Sequence, residues 1–127
     1  MTGDPIEGQV LLLTAAKASV PAAALPDLVE RTQELLGPEI DRYRREYERL
    51  CTDEDRDLFL VPRGHWDELG EALDGTDRER AAVRRAHEEQ LLRIGRRTGR
   101  ESEFETALEV REPVVIGRGG TDSESWD

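Results

Sequence analysis

Cysteine and lysine occur once each in the 127 residues, as Cys51 and Lys17. A single cysteine excludes an intrachain disulfide and a cysteine-rich zinc site. A reactive thiol would need a neighbouring base and a lowered pKa; Cys51, next to Leu50 at the end of an expected helix, reads as a small hydrophobe. Aromatic residues make up 5% and apolar residues 36% of the chain, so the core is modest and leans on Leu, Val and Ala. Long hydrophobic runs are missing as well. A membrane span takes about 20 apolar residues. Val10-Leu11-Leu12-Leu13 is far shorter and lacks the basic flank and cleavage pattern of a signal peptide. The expectation is a cytoplasmic protein without membrane attachment.

The usual carriers of chemistry are scarce too. Leu91 stands where a zinc-binding helix would place its second histidine after His87-Glu88. His65 and His87 with an acid form no recognisable ligand pattern, and no metal or cofactor is expected. Ser19, Ser102, Ser123 and Ser125 sit in turns, caps or tail, with no nucleophile elbow. Gly117-Arg118-Gly119-Gly120 is followed by no helix that could offer its N-terminus to a phosphate. Carboxylates are so common that their pairing carries no information. The chain is not expected to be an enzyme.

Charge is what the chain has in quantity. Seventeen arginines and one lysine face twenty-nine acids, for a net charge of −11. Arginine in place of lysine fits a GC-rich genome; the acid excess fits a cytoplasm at molar salt. There the Debye length falls to about 3 Å, and a dense acidic surface stays hydrated with little self-repulsion. So large a charge on so short a chain favours the salt-adapted origin. One segment runs against the trend. Residues 77–100 hold eight arginines against Asp77, Glu79, Glu88 and Glu89, a local excess of four positive charges.

The length suggests one domain. Residues 1–5 read as a frayed N-terminus, 6–116 as a helical domain and 117–127 as a disordered acidic tail. In that tail Trp126 reads as incidental. A first helix over 6–19 places Ile6, Val10, Leu13 and Lys17 on one face and stops at Pro21. Pro26 opens a second, ending at Gly37. Pro38 opens a third, with Ile40, Tyr43, Tyr47 and Leu50 at helical spacing. Residues 52–57 form an acidic break. Residues 58–61, Leu-Phe-Leu-Val, read as a strand or as a helical turn; with no second convincing strand to pair with, the irregular or helical reading is preferred. A short helix over 65–73 points Trp66, Leu69 and Leu73 inward. Thr76-Asp77-Arg78-Glu79 has the spacing of a capping box and starts a helix of about twenty residues, stopped by Gly99. Ser102-Glu103-Phe104-Glu105 has the same spacing and starts a last helix, which Pro113 ends. Val114-Val115-Ile116 docks as an extended strip. The expected class is all-α, a single domain of five or six helices.

On a wheel at about 100° per residue, the basic helix places Val83, His87, Gln90, Leu91 and Ile94 on one face. Arg78, Arg85, Arg93, Arg96 and Arg100 fall near the opposite one. Guanidinium forks suit bidentate contact with phosphate or carboxylate, so the row is the candidate face for a partner or a phosphate backbone. Nucleic acid and an acidic protein surface both satisfy it. So do the chain's own acids, Glu30, Glu34 and Glu39 among them, or plain solvent. His87, within the apolar stripe, reads as a hydrogen-bonded core residue.

Two resemblances add expectations. Trp66-Asp67-Glu68-Leu69-Gly70-Glu71-Ala72-Leu73, then Gly75, then Ala82-Val83-Arg84-Arg85, resembles the helix-turn-helix of transcription regulators over about a quarter of the chain. The resemblance implies that Arg78, Arg80, Arg84 and Arg85 face DNA. The connection between the helices is longer than that family's turn, and the second helix is long for a recognition helix. Nearly the full length, including Phe104-Glu105-Thr106-Ala107-Leu108-Glu109, is similar to a small uncharacterised domain family of halophilic archaea. That likeness implies a salt-loaded cytoplasm and brings no activity with it. The functional expectation is a non-enzymatic helical interaction or regulatory module whose partner is another protein or a second copy. A DNA-binding regulator using the arginine-rich helix over 77–98 is the alternative.

Overall fold

A computed structural model describes residues 5–73 and 75–118, and among these described residues there are six α-helices and three strands. In order they are α1 (Gly8–Ala18), α2 (Ala24–Leu36), a 3-10 turn (Gly37–Glu39), α3 (Ile40–Glu46), β1 (Glu48–Thr52), β2 (Arg56–Val61), α4 (His65–Ala72), α5 (Asp77–Thr98), α6 (Glu101–Leu108) and β3 (Glu112–Gly117). The strands form one antiparallel sheet in the order β1-β2-β3. The fold is therefore α+β, and the expected all-α bundle is wrong.

The correction turns on residues 58–61. They do have a partner strand, but it lies more than fifty residues away in sequence: Leu58 pairs with Val115, Phe59 with Val114 and Leu60 with Pro113. On the other side β2 pairs with β1, Leu58 opposite Cys51 and Phe59 opposite Arg49. Every residue of β2 is buried, as befits a central strand covered on both faces, and such a strand shows no alternation to read. The third helix stops at Glu46 rather than Leu50, because the chain turns extended at Tyr47 to enter β1. The acidic break is the hairpin turn. Asp53 accepts from the backbone N–H groups of Asp55 and Arg56 at 2.8 and 3.0 Å, the side-chain mimicry of a turn that aspartate favours.

The two sheet edges are treated differently. At the outer edge of β3, side chains of the helices fill the backbone groups from the Pro113 carbonyl to the Gly117 N–H. Trp66 Nε1 donates to the Pro113 carbonyl at 2.7 Å. The Val115 N–H donates to His87 Nδ1 at 2.9 Å. Gln33 of α2 closes the rest, its Nε2 donating to the Val115 carbonyl and its Oε1 accepting from the Gly117 N–H, both at 2.8 Å. Pro113 itself has no N–H to satisfy. At the other edge, β1 is short, bulged between Arg49 and Cys51, and charged at Glu48 and Arg49. Those features blunt an edge against further pairing.

α5 is the axis of the helical layer. It buries Ala82, Val83, Ala86, His87, Gln90, Leu91, Ile94 and Gly95. Its capping box forms as the spacing requires, Thr76 and Glu79 each accepting from the other's backbone, and Gly99 ends it with φ 73°. The second capping-box reading fails. The N-cap of α6 is Arg100, without a side-chain cap, and Ser102 lies inside the first turn. α4 has no local cap either; Glu112, at the start of β3, reaches across to accept from Gly64 and Trp66 N–H at 3.2 and 2.9 Å.

α6 lies close against α5 because Gly95 has no side chain. A Cβ there would stand 2.9 Å from Phe104 Cδ2 and 3.2 Å from the Glu101 Cα. Gly95→Ala should gain about 1 kcal/mol of helix propensity and lose more by displacing the backbone of α6. The net expectation is about 1–2 kcal/mol of destabilisation, read as a lower urea midpoint at constant salt. An unchanged midpoint would show that α6 moves freely.

The first helix turns a different face inward from the expected one. Val10, Thr14 and Ala15 are buried, while Leu12, Leu13 and Lys17 face solvent. Pro5 is ordered against Gly117. Of the segments read as frayed or disordered, residues 1–4 and 119–127, with Trp126, lie outside the described residues.

Candidate functional site

Most of the arginine row is occupied by the chain's own carboxylates. Arg93 and Arg97 both reach Glu7, at 3.2 and 2.5 Å, and Arg93 also donates to Gln9 at 2.9 Å. Arg96 pairs with Glu101 at 3.3 Å. Arg100 forks onto Glu103 at 2.9 and 2.8 Å and lies over the Phe104 ring. Arg85 stands 4.0 Å from Glu89, which also meets Lys17 at 3.8 Å. The neutralising acids are Glu7, Glu89, Glu101 and Glu103, not the Glu30, Glu34 and Glu39 suggested by their place on neighbouring helices. Among the described residues Arg78 and Arg84 have no carboxylate within 4 Å. The structure thus divides the five-residue candidate face: Arg78 meets no carboxylate among the described residues, Arg85 is loosely held, and Arg93, Arg96 and Arg100 are engaged.

Glu7 is the pivot of this arrangement. It sits just before α1, and its backbone N–H also donates to Gln90 Oε1 at 2.7 Å. The hydrogen bond from Arg97, helped by Gln90 and by the charges of Arg97 and Arg93, holds its carboxyl at about 2. This joins α1 to α5 and uses two of the positive charges that made the segment conspicuous, Arg93 and Arg97.

α4 and α5 bound a cleft of about 520 Å³ floored by Trp66 and rimmed by Asp67, Glu71, Arg80, Arg84 and Glu112. Arg80 is committed to Asp77 and to the Gly75 carbonyl, and Glu112 to the start of α4. Among the described residues, Arg84 is the cation of this rim without a carboxylate partner. α5 offers no exposed face along its apolar stripe, so it does not stand out from the body as a recognition helix does.

The histidines are both used internally. Tyr43 OH and His65 Nε2 are 2.5 Å apart in a buried aromatic group with Phe59 and Tyr47. Burial pushes Tyr43 up to about 12 and moves His65 down, so both stay neutral near pH 7 and neither is poised to exchange a proton there. His87 is fully buried, and burial takes it down to about 3. Because its Nδ1 accepts from Val115, the proton of the neutral ring is on Nε2. That N–H has no hydrogen-bond partner, and the ring lies edge-to-face with Trp66 at 4.7 Å. Among the described residues no group of three or more His, Cys, Asp or Glu side chains is placed to hold a metal ion. Cys51 is half-buried, and desolvation raises its pKa, which keeps it protonated.

Two features escaped sequence reasoning. The first is Asp57, whose side chain is fully buried and meets three arginines from separate elements: Arg44 of α3 at 2.9 Å, and Arg49 of β1 and Arg118 beyond β3 at 3.8 Å. Thr52 donates to its other oxygen. Nothing in the local sequence distinguishes Asp57 from the other acids of the hairpin. The second is the outer strip of α1. Leu12 and Leu13 are 62% and 53% exposed, between Gln9 and Ala16, which are exposed as well. A missing signal could have found it: residues 8–16 carry no charge in a chain that is 37% charged.

Among the described residues no helix is long and apolar enough to cross a membrane. Comparison with curated proteins gives no match, and comparison with solved structures gives none. A family model described as a domain of unknown function (DUF8048) matches residues 4–118, from just before α1 to the residue after β3. The chain belongs to this DUF8048 family of domains of unknown function.

Proposed function

We propose that the protein is a non-enzymatic interaction module, regulatory in role, working in the salt-loaded cytoplasm of a halophilic archaeon. The observation that carries this reading is the uncharged outer strip of α1, where Leu12 and Leu13 stand 62% and 53% exposed. On a surface otherwise crowded with carboxylates, an uncharged strip with two adjacent exposed leucines is best accounted for by a partner that covers it. The net charge of −11 with one lysine supports the salt-adapted setting, because such a surface is tolerated best where screening is strong.

A DNA-binding regulator is the second reading. It is favoured by Arg78 and Arg84, the cations of α5 that no carboxylate neutralises among the described residues. The two readings separate in a titration of fluorescently labelled duplex DNA, followed by anisotropy, in potassium chloride from roughly 0.2 to 3 M. The interaction module should leave the anisotropy unchanged throughout. Binding that weakens steeply with salt, and that Arg78→Glu with Arg84→Glu abolishes without unfolding the chain, would replace it with the regulator. Arg93 is unsuitable for this test because changing it would also release Glu7.

A further inference from the structure

The outer face of α1 is self-complementary, and we infer that its occupant is a second copy of this chain, bound antiparallel about a twofold axis near the middle of the helix. This rests on the interaction-module reading and names its partner. α1 spans Gly8–Ala18, so Leu12 and Leu13 lie at its centre. A twofold axis between them sets Leu12 of one copy against Leu13 of the other and Gln9 against Ala16. The leucines then meet leucines, and the small or uncharged residues on either side let the helices approach.

Charge selects the same partner. Both bodies are strongly negative, and they can come together only where neither presents a carboxylate. Residues 8–16 satisfy this, and the one charge of the helix, Lys17, would come to lie beside Gly8 of the other copy. The antiparallel arrangement also sets the two helix dipoles head to tail. At about 3 M potassium chloride the Debye length of a few ångström screens the remaining repulsion between the bodies, while apolar contact is undiminished.

The test is the mass in solution, by light scattering with sedimentation, at about 3 M potassium chloride. The expected mass is twice the 14.4 kDa of the chain. Leu12→Gln with Leu13→Gln should give a monomer with an unchanged far-ultraviolet circular dichroism spectrum. A monomeric wild type at about 0.5 mM chain, or a dimer that survives the double substitution, would overturn the inference. Disulfide trapping in a Cys51→Ser background tests the arrangement. Gln9→Cys and Ala16→Cys chains mixed together should crosslink to each other. Neither should crosslink to itself, since the antiparallel register separates like positions by about 10 Å along the axis, beyond disulfide reach. Self-crosslinked chains alone would reject the twofold geometry. A monomer that also ignores DNA would remove the second copy as partner and leave the interaction module standing; salt-sensitive DNA binding would remove the module itself.

Discussion

Asp57→Ala should destabilise the protein by about 3 kcal/mol, and the loss should persist at molar salt. The carboxylate is entirely buried, so it has given up its hydration and depends on Arg44, Arg49, Arg118 and Thr52 in return. Removing one member of a buried charge cluster costs roughly 3–5 kcal/mol when the partners are stranded. Here the arginine side chains are 38%, 47% and 39% exposed and regain water, which places the effect at the lower end. Screening acts on charges that solvent surrounds and reaches Asp57 poorly. The contrast is Arg100 with Glu103, a well-formed pair on the surface; Glu103→Ala should leave stability unchanged at high salt. Urea unfolding of both variants at two salt concentrations decides the matter. An Asp57→Ala loss that vanishes at high salt would show its carboxylate to be solvated in the native state.

His87 should make the protein lose stability as the medium turns acidic. The ring is neutral in the folded state, with a pKa of about 3 against an ordinary 6.5. Above pH 6.5 both states hold it neutral, and it contributes no pH dependence. Below that, the unfolded chain takes up a proton that the folded chain refuses, so the free energy of unfolding falls from pH 6.5 down to about 3, by a few kcal/mol in all. Glu7 acts with the same sign lower down, its stabilisation being complete above 4.5 and lost as pH falls toward 2. His87→Phe keeps a ring against Trp66 but strands the Val115 N–H, for about 1–3 kcal/mol at neutral pH. It should also flatten the slope of stability between pH 6.5 and 4.5, leaving the part due to His65, whose pKa burial also lowers. A variant with the wild-type slope would show that His87 is protonated in the native protein.

The legible parts of this chain are those in which the deciding partner is three or four residues away. The capping box of Thr76 and Glu79, the left-handed stop at Gly99 and the apolar stripe of Val83, His87, Gln90, Leu91 and Ile94 could all be read, and the structure contains them. The His87 reading succeeded as far as burial and a hydrogen bond, but its partner, the Val115 backbone, belongs to a strand not recognised as one. The failures share a cause. Leu58 and Val115 pair across fifty-seven positions, and the neighbours of either offered no strand to match. Helical spacing in α1 permits an inward face through Leu13 as well as one through Thr14, and packing against α5 buries the one carrying Val10 and Thr14. Ser102 had the spacing of a cap, but the turn after Gly99 already starts α6 at Glu101.

The candidate surfaces divide in the same way. The wheel groups the arginines of one expected helix, of which Arg100 lies past the Gly99 stop as the N-cap of α6; their crowding is a property of composition. Their availability is not, since Glu7 comes from before α1, and Glu101 and Glu103 from after a reversal of the chain. By itself the sequence determined the helices with local caps, the excess of acid, the uncharged stretch before Lys17 and the single block of positive charge. Hydrogen bonds and spacings within a turn or two suffice for these. Only the tertiary structure decided that three strands form a sheet, that Asp57 gathers three arginines, that most of the basic row is neutralised and that Leu12 and Leu13 face outward. Each of these depends on which distant residues share a few ångström of space, and chain packing alone sets that distance.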